Sequence, residues 1–269
     1  ERIAARIDQP TSEAVKLVDY KELMTADEIR QLNEKQKAIM DNAIERVESI
    51  TLSRYAIANA AKSTYIMQHW GDNFSSFNTH ATAWWQPYGE FGTTTRKDND
   101  GYFKAIASTT EGKQANFEYV FENNVAGTDN ATSMYLEYTI NLKDVAGTHK
   151  DFTDGTFYRF ANKIYTSIED ILKAYENQSN PFGTDTKDGL LAELKIVDGK
   201  TTATEAELAK FRTDHAIEIF VGGKAYYKTT IDDKFLSYTG RHLIQRNSVY
   251  QFECGKFFFR NLTALHCHA

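Results

Sequence analysis

Apolar and polar positions change period several times along the chain, and each change marks an element. From Thr25 to Val47, Ile29, Leu32, Ile39, Ala43 and Val47 recur at helical spacing, and Thr25 and Glu28 are spaced as a capping box. The pattern predicts one helix over 25–47. Its other face carries Arg30, Glu34, Lys37, Asp41 and Glu45 and reads as solvated, so the helix is expected to lie on the surface of a β core. From Ile50 the period drops to two: Ile50, Leu52, Ala56 and Ala58 alternate with Thr51, Ser53 and Asn59, which predicts a strand. Residues 68–100 fit neither period. Trp70, Phe74, Phe77, Trp84, Trp85, Tyr88 and Phe91 are scattered among Gly and Asn there, and the segment reads as a long loop pinned by aromatics.

Three more strands are predicted over 114–122, 133–142 and 156–160, separated by turn-rich runs at 123–130 and 144–155. Short helical patterns follow at 167–175, capped by the Ser167/Asp170 pair, and at 204–211, capped by Thr204/Glu207. A breaker-rich run, 177–189, lies between them. Ile217–Val221, Gly222-Gly223 and Ala225–Ile231 form the best hairpin pattern, because paired glycines accept the positive φ of a tight turn. A last apolar strand is predicted over 249–259. Strands dominate and helices sit in long connections, so the expected architecture is a β-sandwich with inserted short helices rather than a parallel α/β sheet.

Composition narrows the function classes. The chain has 269 residues, with 31 Lys plus Arg against 37 Asp plus Glu and a net charge of -6. A nucleic-acid surface is normally basic, so DNA and RNA are set aside. Apolar residues at 41% and aromatics at 13% indicate a folded chain with a sizeable core. No run approaches the roughly 20 apolar residues that span a bilayer, and the first residues lack the basic-then-apolar order of a signal peptide. The two cysteines, Cys254 and Cys267, supply no disulfide framework.

Motifs for chemistry are incomplete. Arg96-Lys-Asp-Asn-Asp-Gly101 resembles half a calcium loop, but Arg96 and Ala107 stand where the first and last ligands belong. Gly199-Lys200-Thr201 lacks the glycine five residues earlier that a phosphate loop needs, and reads as a turn before a helix. His266-Cys267-His268 is a poor cage, since adjacent strand side chains point opposite ways. There is no nucleophile elbow, and Asp232-Asp233 reads as a solvated turn. No catalytic residue, cofactor site or metal site is assigned, and a binding or structural role is expected over an enzymatic one.

Several segments, taken in order, resemble the fimbrillins, the pilus subunits of Bacteroidales, and most of all the C-terminal part of a short-fimbria stalk subunit. They are Arg2-Ile-Ala-Ala-Arg-Ile-Asp8, Tyr55 to Tyr65, Phe117-Glu-Tyr-Val-Phe-Glu-Asn-Asn124, Thr156-Phe-Tyr-Arg159, Ala225 to Ile231 and Gln245-Arg-Asn-Ser-Val-Tyr250. The resemblance covers about residues 1–252. It implies a mainly β, antiparallel Greek-key β-sandwich, transthyretin-like, with residues 1–10 closing a mostly absent N-terminal domain, 11–254 forming the C-terminal domain and 255–269 a tail. It further implies an exported lipoprotein precursor, cut by an Arg-specific protease to remove a first strand and polymerised when a neighbour's C-terminal strand fills the groove. The expected site is the cell surface, outer-membrane associated, and the expected partners are other fimbrial subunits, tip or anchor proteins and surface receptors. No cofactor is implied.

Within the tail, Val249 to Cys254 reads as the domain's own last strand and Phe257 to Leu265 as the donor strand, with Phe257, Phe259, Leu262 and Leu265 as the inserting residues. The ending lacks the Gly and Pro usual in that family. An adhesin binding glycan or protein through the loop 68–91 is the second reading, with Trp70, Trp84, Trp85 and Tyr88 as a stacking platform. A periplasmic hydrolase with a dispersed site is the third, and shifted carboxylate acidity within one cleft would mark it.

Overall fold

The computed structural model describes residues 3–11, 19–70, 77–78, 84–85, 103–107, 116–125, 130–231, 242–254 and 267–268. Strand β1, Ala4–Asp8, is followed by three helices, α1 (Tyr20–Leu23), α2 (Ala26–Gln31) and α3 (Glu34–Arg46). The single helix expected over 25–47 is therefore two. Thr25 and Glu28 make the predicted capping box, but Asn33 and Gln36 make a second one. Asn33 accepts from the Gln36 amide of α3 with its own side chain and takes an extended conformation to do so, which ends α2 at Leu32. Met40 and Ala43 turn the buried face of α3 inward, and the chain passes from Arg46 directly into strand β2, Val47–Ala58.

Besides several two-residue ladders, the strands that follow are β3 (Lys104–Ala105), β4 (Phe117–Phe121), β5 (Asn123–Val125), β6 (Ser133–Leu142), β7 (Phe157–Phe160), β8 (Lys163–Tyr165), β9 (Glu218–Phe220), β10 (Lys224–Thr230), β11 (His242–Ile244) and β12 (Val249–Tyr250). The fold is mainly β, with several antiparallel sheets. One sheet runs β10-β6-β2-β3, a second β12-β1-β4, a third β8-β7-β9. Strand β6 has the bounds its alternation predicts. It is central, antiparallel to both β2 and β10, and its residues Met134, Leu136, Tyr138 and Ile140 face the core. That core also takes Ala5, Ile7, Val120 and Tyr250 from the second sheet and Phe252 just beyond it, so β1 packs into the same core as the four-stranded sheet. Truncating a fully buried side chain there, such as Leu136, costs about 2–5 kcal/mol.

Helices α4 (Ile168–Ala174), α5 (Lys187–Glu193) and α6 (Glu205–His215) cover the third sheet and build a second apolar cluster around Tyr158, Ile171, Leu190, Phe211 and Ile219. Ser167 and Thr204 cap α4 and α6 as predicted. Helix α6 runs four residues past the predicted Phe211, to His215, where Ala216 turns left-handed. Helix α5 begins inside the breaker-rich run because Thr186 caps it at Gly189. Gly199 lies in a turn, as expected, and joins the small hairpin Ile196–Val197/Lys200–Thr201 that precedes α6.

Two other expectations are overturned. The hairpin across Gly222-Gly223 does not form: β9 pairs with β7 and β10 pairs with β6, so the glycines carry the chain from one sheet to another. Gly223 has φ +69, and a Cβ on it would sit 2.4 Å from the Ile140 carbonyl oxygen. Close approach to the backbone of β6, the partner of β10, together with the positive φ, is what demands glycine there. The turn-rich run 123–130 opens with strand β5, paired with β11. The Asn123 amide, a turn former by composition, instead donates to the Asn130 carbonyl and the Thr132 hydroxyl.

The strand expected over 249–259 is interrupted at 251–252, and residues 255–259 fall outside the described residues. Among the described residues, no helix is long and apolar enough to cross a membrane.

Candidate functional site

Strand β1 is a middle strand. On one side it is antiparallel to β4, with Ala4 opposite Phe121 and Asp8 opposite Phe117; on the other it is parallel to β12, with Arg6 opposite Val249 and Ile7 opposite Tyr250. Alternation puts Ala5 and Ile7 into the core, both fully buried, and Arg6 on the outer face. Main-chain bonds continue beyond the ladder: Arg6 N–H donates to Ser248 O, Gln9 N–H to Asn116 O and Thr11 N–H to Phe252 O. The Gln9 side chain acts as an added peptide group, donating to the Ala107 carbonyl at 2.9 Å and accepting from its amide at 3.3 Å.

The flanking strands show what β1 separates. Strands β4 and β5 are nearly continuous, broken only at Glu122. Strand β11 pairs with β5; the chain then turns at 245–248 and continues as β12 on the far side of β1. The two runs 117–125 and 242–250 are thus antiparallel partners at one end and are forked open by β1 at the other. Without β1, both arms of the fork would present unpaired main-chain groups above the apolar positions that Ala5 and Ile7 fill.

The fork point is held by charge. Glu122 stands at the break between β4 and β5, and Arg246 in the 245–248 turn; Arg246 Nη2 lies 2.7 Å from Glu122 Oε2. Arg246 also donates to the Tyr65 and Ile66 carbonyls at 2.8 Å each, and Gln68 Nε2 donates to Glu122 Oε1 at 2.7 Å. The pair therefore fixes the 64–68 segment, whose Ile66 and Met67 side chains stay outside in solvent. Neither residue carries a local sequence pattern that marks it: Glu122 follows a strand that already holds the charged Glu118, and Arg246 lies in a turn.

The residues singled out from sequence are placed as follows. Trp70 lies in a short ladder opposite Phe77, and Trp84 and Trp85 in another opposite Ala61 and Ala60. Tyr88 lies outside the described residues, as do Phe257, Phe259, Leu262 and Leu265. The structure therefore gives Trp70, Trp84 and Trp85 a backbone setting, in strand ladders instead of a structureless loop. The tail returns at Cys267–His268, antiparallel to Glu253–Cys254. Asp232-Asp233 and residues 96–102 of the calcium-like run also lie outside the described residues.

Among the described residues, no group of three or more His, Cys, Asp or Glu could hold a metal ion. Asp151 is a carboxyl raised above its ordinary range, by burial. Its Oδ2 accepts from the Tyr158 hydroxyl at 2.9 Å and the Ile168 amide at 2.7 Å, so it anchors the start of α4 to β7.

No family model matches the chain. No curated protein matches it either.

Proposed function

We propose that the chain is a structural subunit of a bacterial surface fimbria that polymerises by strand exchange, of the kind found in the Bacteroidales fimbrillins it resembles. The observation that supports this reading is the inserted strand: β1 parts two runs that pair with each other beyond it. Such a strand can be replaced by an equivalent one from a neighbour at small net change in hydrogen bonding and burial. In this reading the sheets form the Greek-key, transthyretin-like sandwich of that family, the neighbour's 255–269 tail takes the place of β1, and the subunit works at the cell surface without a cofactor.

No arginine lies between Arg6 and Arg30. An Arg-specific protease would therefore release an intact β1 by cutting after Arg30, a side chain 76% exposed near the end of α2. The test is digestion with such a protease, followed by light scattering and negative-stain microscopy, on the chain with and without residues 255–269. Assembly of the cut chain only when the tail is present supports the reading; a cut chain that stays monomeric with its tail intact refutes it.

A further inference from the structure

We propose that the outward face of the β12-β1-β4 sheet is a binding site for a neutral glycan. The site is made by side chains of β1, β4 and β12 that face away from the core. Its test needs only the intact chain with β1 in place, so it stands or falls separately from the fimbrial reading.

The face is an aromatic strip with polar groups set between its rings. Phe117 and Tyr119, two residues apart on β4, are 44% and 54% exposed, with ring centroids 5.3 Å apart and planes at 74°. Arg6 lies opposite Tyr119 in the ladder, with its guanidinium carbon 4.5 Å from the centre of the Phe117 ring. Opposite Arg6 on the other side is Val249, itself 55% exposed. Asp8 anchors the group. Its side chain is 1% exposed, and it accepts from Arg6 Nε at 2.5 Å and from Gln251 Nε2 at 3.1 Å.

The bonding left over defines the ligand. Among the described residues, the two Nη groups of Arg6, the Tyr119 hydroxyl and the Gln251 carbonyl oxygen have no partner. They offer fixed donors and an acceptor around ring faces, which matches a pyranose: its C–H face packs on an aromatic ring while its hydroxyls both donate and accept. Charge decides between ligand types. Arg6 is already neutralised by the buried Asp8, so the face has no net charge to attract an acidic sugar, and a second carboxylate would lie beside the first. A protein partner is the poorer fit, because a stable interface buries about 800 Å² per partner around an apolar centre. Here Phe117, Tyr119 and Val249, with the half-buried Ala4 and Phe121, form a small apolar area, and Arg6, Asp8 and Gln251 divide it.

The test is calorimetric titration of the intact chain with lactose, mannobiose and chitobiose as neutral probes and sialyllactose as the acidic one. Binding is repeated for F117A, Y119A, R6K and, as a control on another exposed segment, I66S, with circular dichroism to confirm each fold. The expected result is binding of at least one neutral probe that weakens tenfold or more in Y119A and F117A, and weakens in R6K, which keeps the charge but loses the fork. I66S should bind as the unmodified chain does. No neutral probe bound, sialyllactose alone bound, or binding indifferent to both F117A and Y119A overturns the proposal.

Discussion

Glu122 and Arg246, 124 residues apart in the chain, form an ion pair closed off from solvent, with side chains 0% and 1% exposed. The pair sits where the two arms around β1 diverge. Its hydrogen bonds are numerous enough to make burial tolerable: Glu122 also accepts from Gln68 and from the Arg246 amide, and Arg246 also donates to two carbonyls.

Removing one partner should therefore cost more than removing both. Glu122→Gln leaves a buried guanidinium with no countercharge and is expected to lower stability by about 3–5 kcal/mol. The double variant E122M/R246M should recover part of that loss. Urea midpoints at fixed slope read both; a double variant less stable than E122Q would contradict the assignment.

The adjacent glycines at 222 and 223 should respond differently to the same change. Both have positive φ, but a Cβ on Gly222 meets nothing within 4 Å, whereas one on Gly223 meets the Ile140 carbonyl oxygen. G222A is expected to cost about 1–2 kcal/mol, the left-handed penalty alone. G223A carries that penalty plus a collision with the backbone of β6 and should cost clearly more, read by thermal or urea unfolding.

High pH should unfold the chain through its tyrosines. Burial pushes Tyr55, Tyr165 and Tyr227 up to about 12. Because the folded values lie above the unfolded value near 10, this contribution is complete below pH 10 and is lost as pH rises toward 12. Absorbance titration should show these phenols ionising together with loss of structure, and Tyr227→Phe should make stability less steep in that window.

Low pH should act in the opposite direction on Glu207. The Lys195 ammonium and the Thr204 amide hold its carboxyl at about 2. Its folded value is depressed, so its contribution is complete above pH 4.5 and is lost as pH falls toward 2. E207Q should flatten that part of the stability profile without changing the part above pH 5, which urea midpoints across the range will show.

How far the sequence carries depends on the range of each interaction. The caps at Thr25, Ser167 and Thr204 and the strand 133–142 were readable because their determinants lie within a few residues. The Asn33/Gln36 box that splits the first helix has the same spacing as Thr25/Glu28, but the apolar period running through it conceals the break. Gly222-Gly223 announces positive φ and says nothing of which strand comes near, so a sheet crossing reads as a hairpin. Strand β5 reads as a turn because Asn123 serves another loop with its amide. The fork around β1 and the Glu122–Arg246 pair depend on contacts more than a hundred residues apart, for which one sequence holds no pattern. Of the candidate site residues, Trp70, Trp84 and Trp85 were found on ladders that aromatic content alone does not predict.

Strand exchange at β1 is tested most directly by peptide uptake. The chain lacking residues 1–11 would be titrated with a fluorescent peptide of residues 255–269, with the peptide 1–11 as competitor, and anisotropy recorded. Saturable binding of the tail peptide, displaced by peptide 1–11 and absent for the intact chain, is the predicted result. A folded truncated chain that binds peptide 1–11 but not the tail would contradict the account.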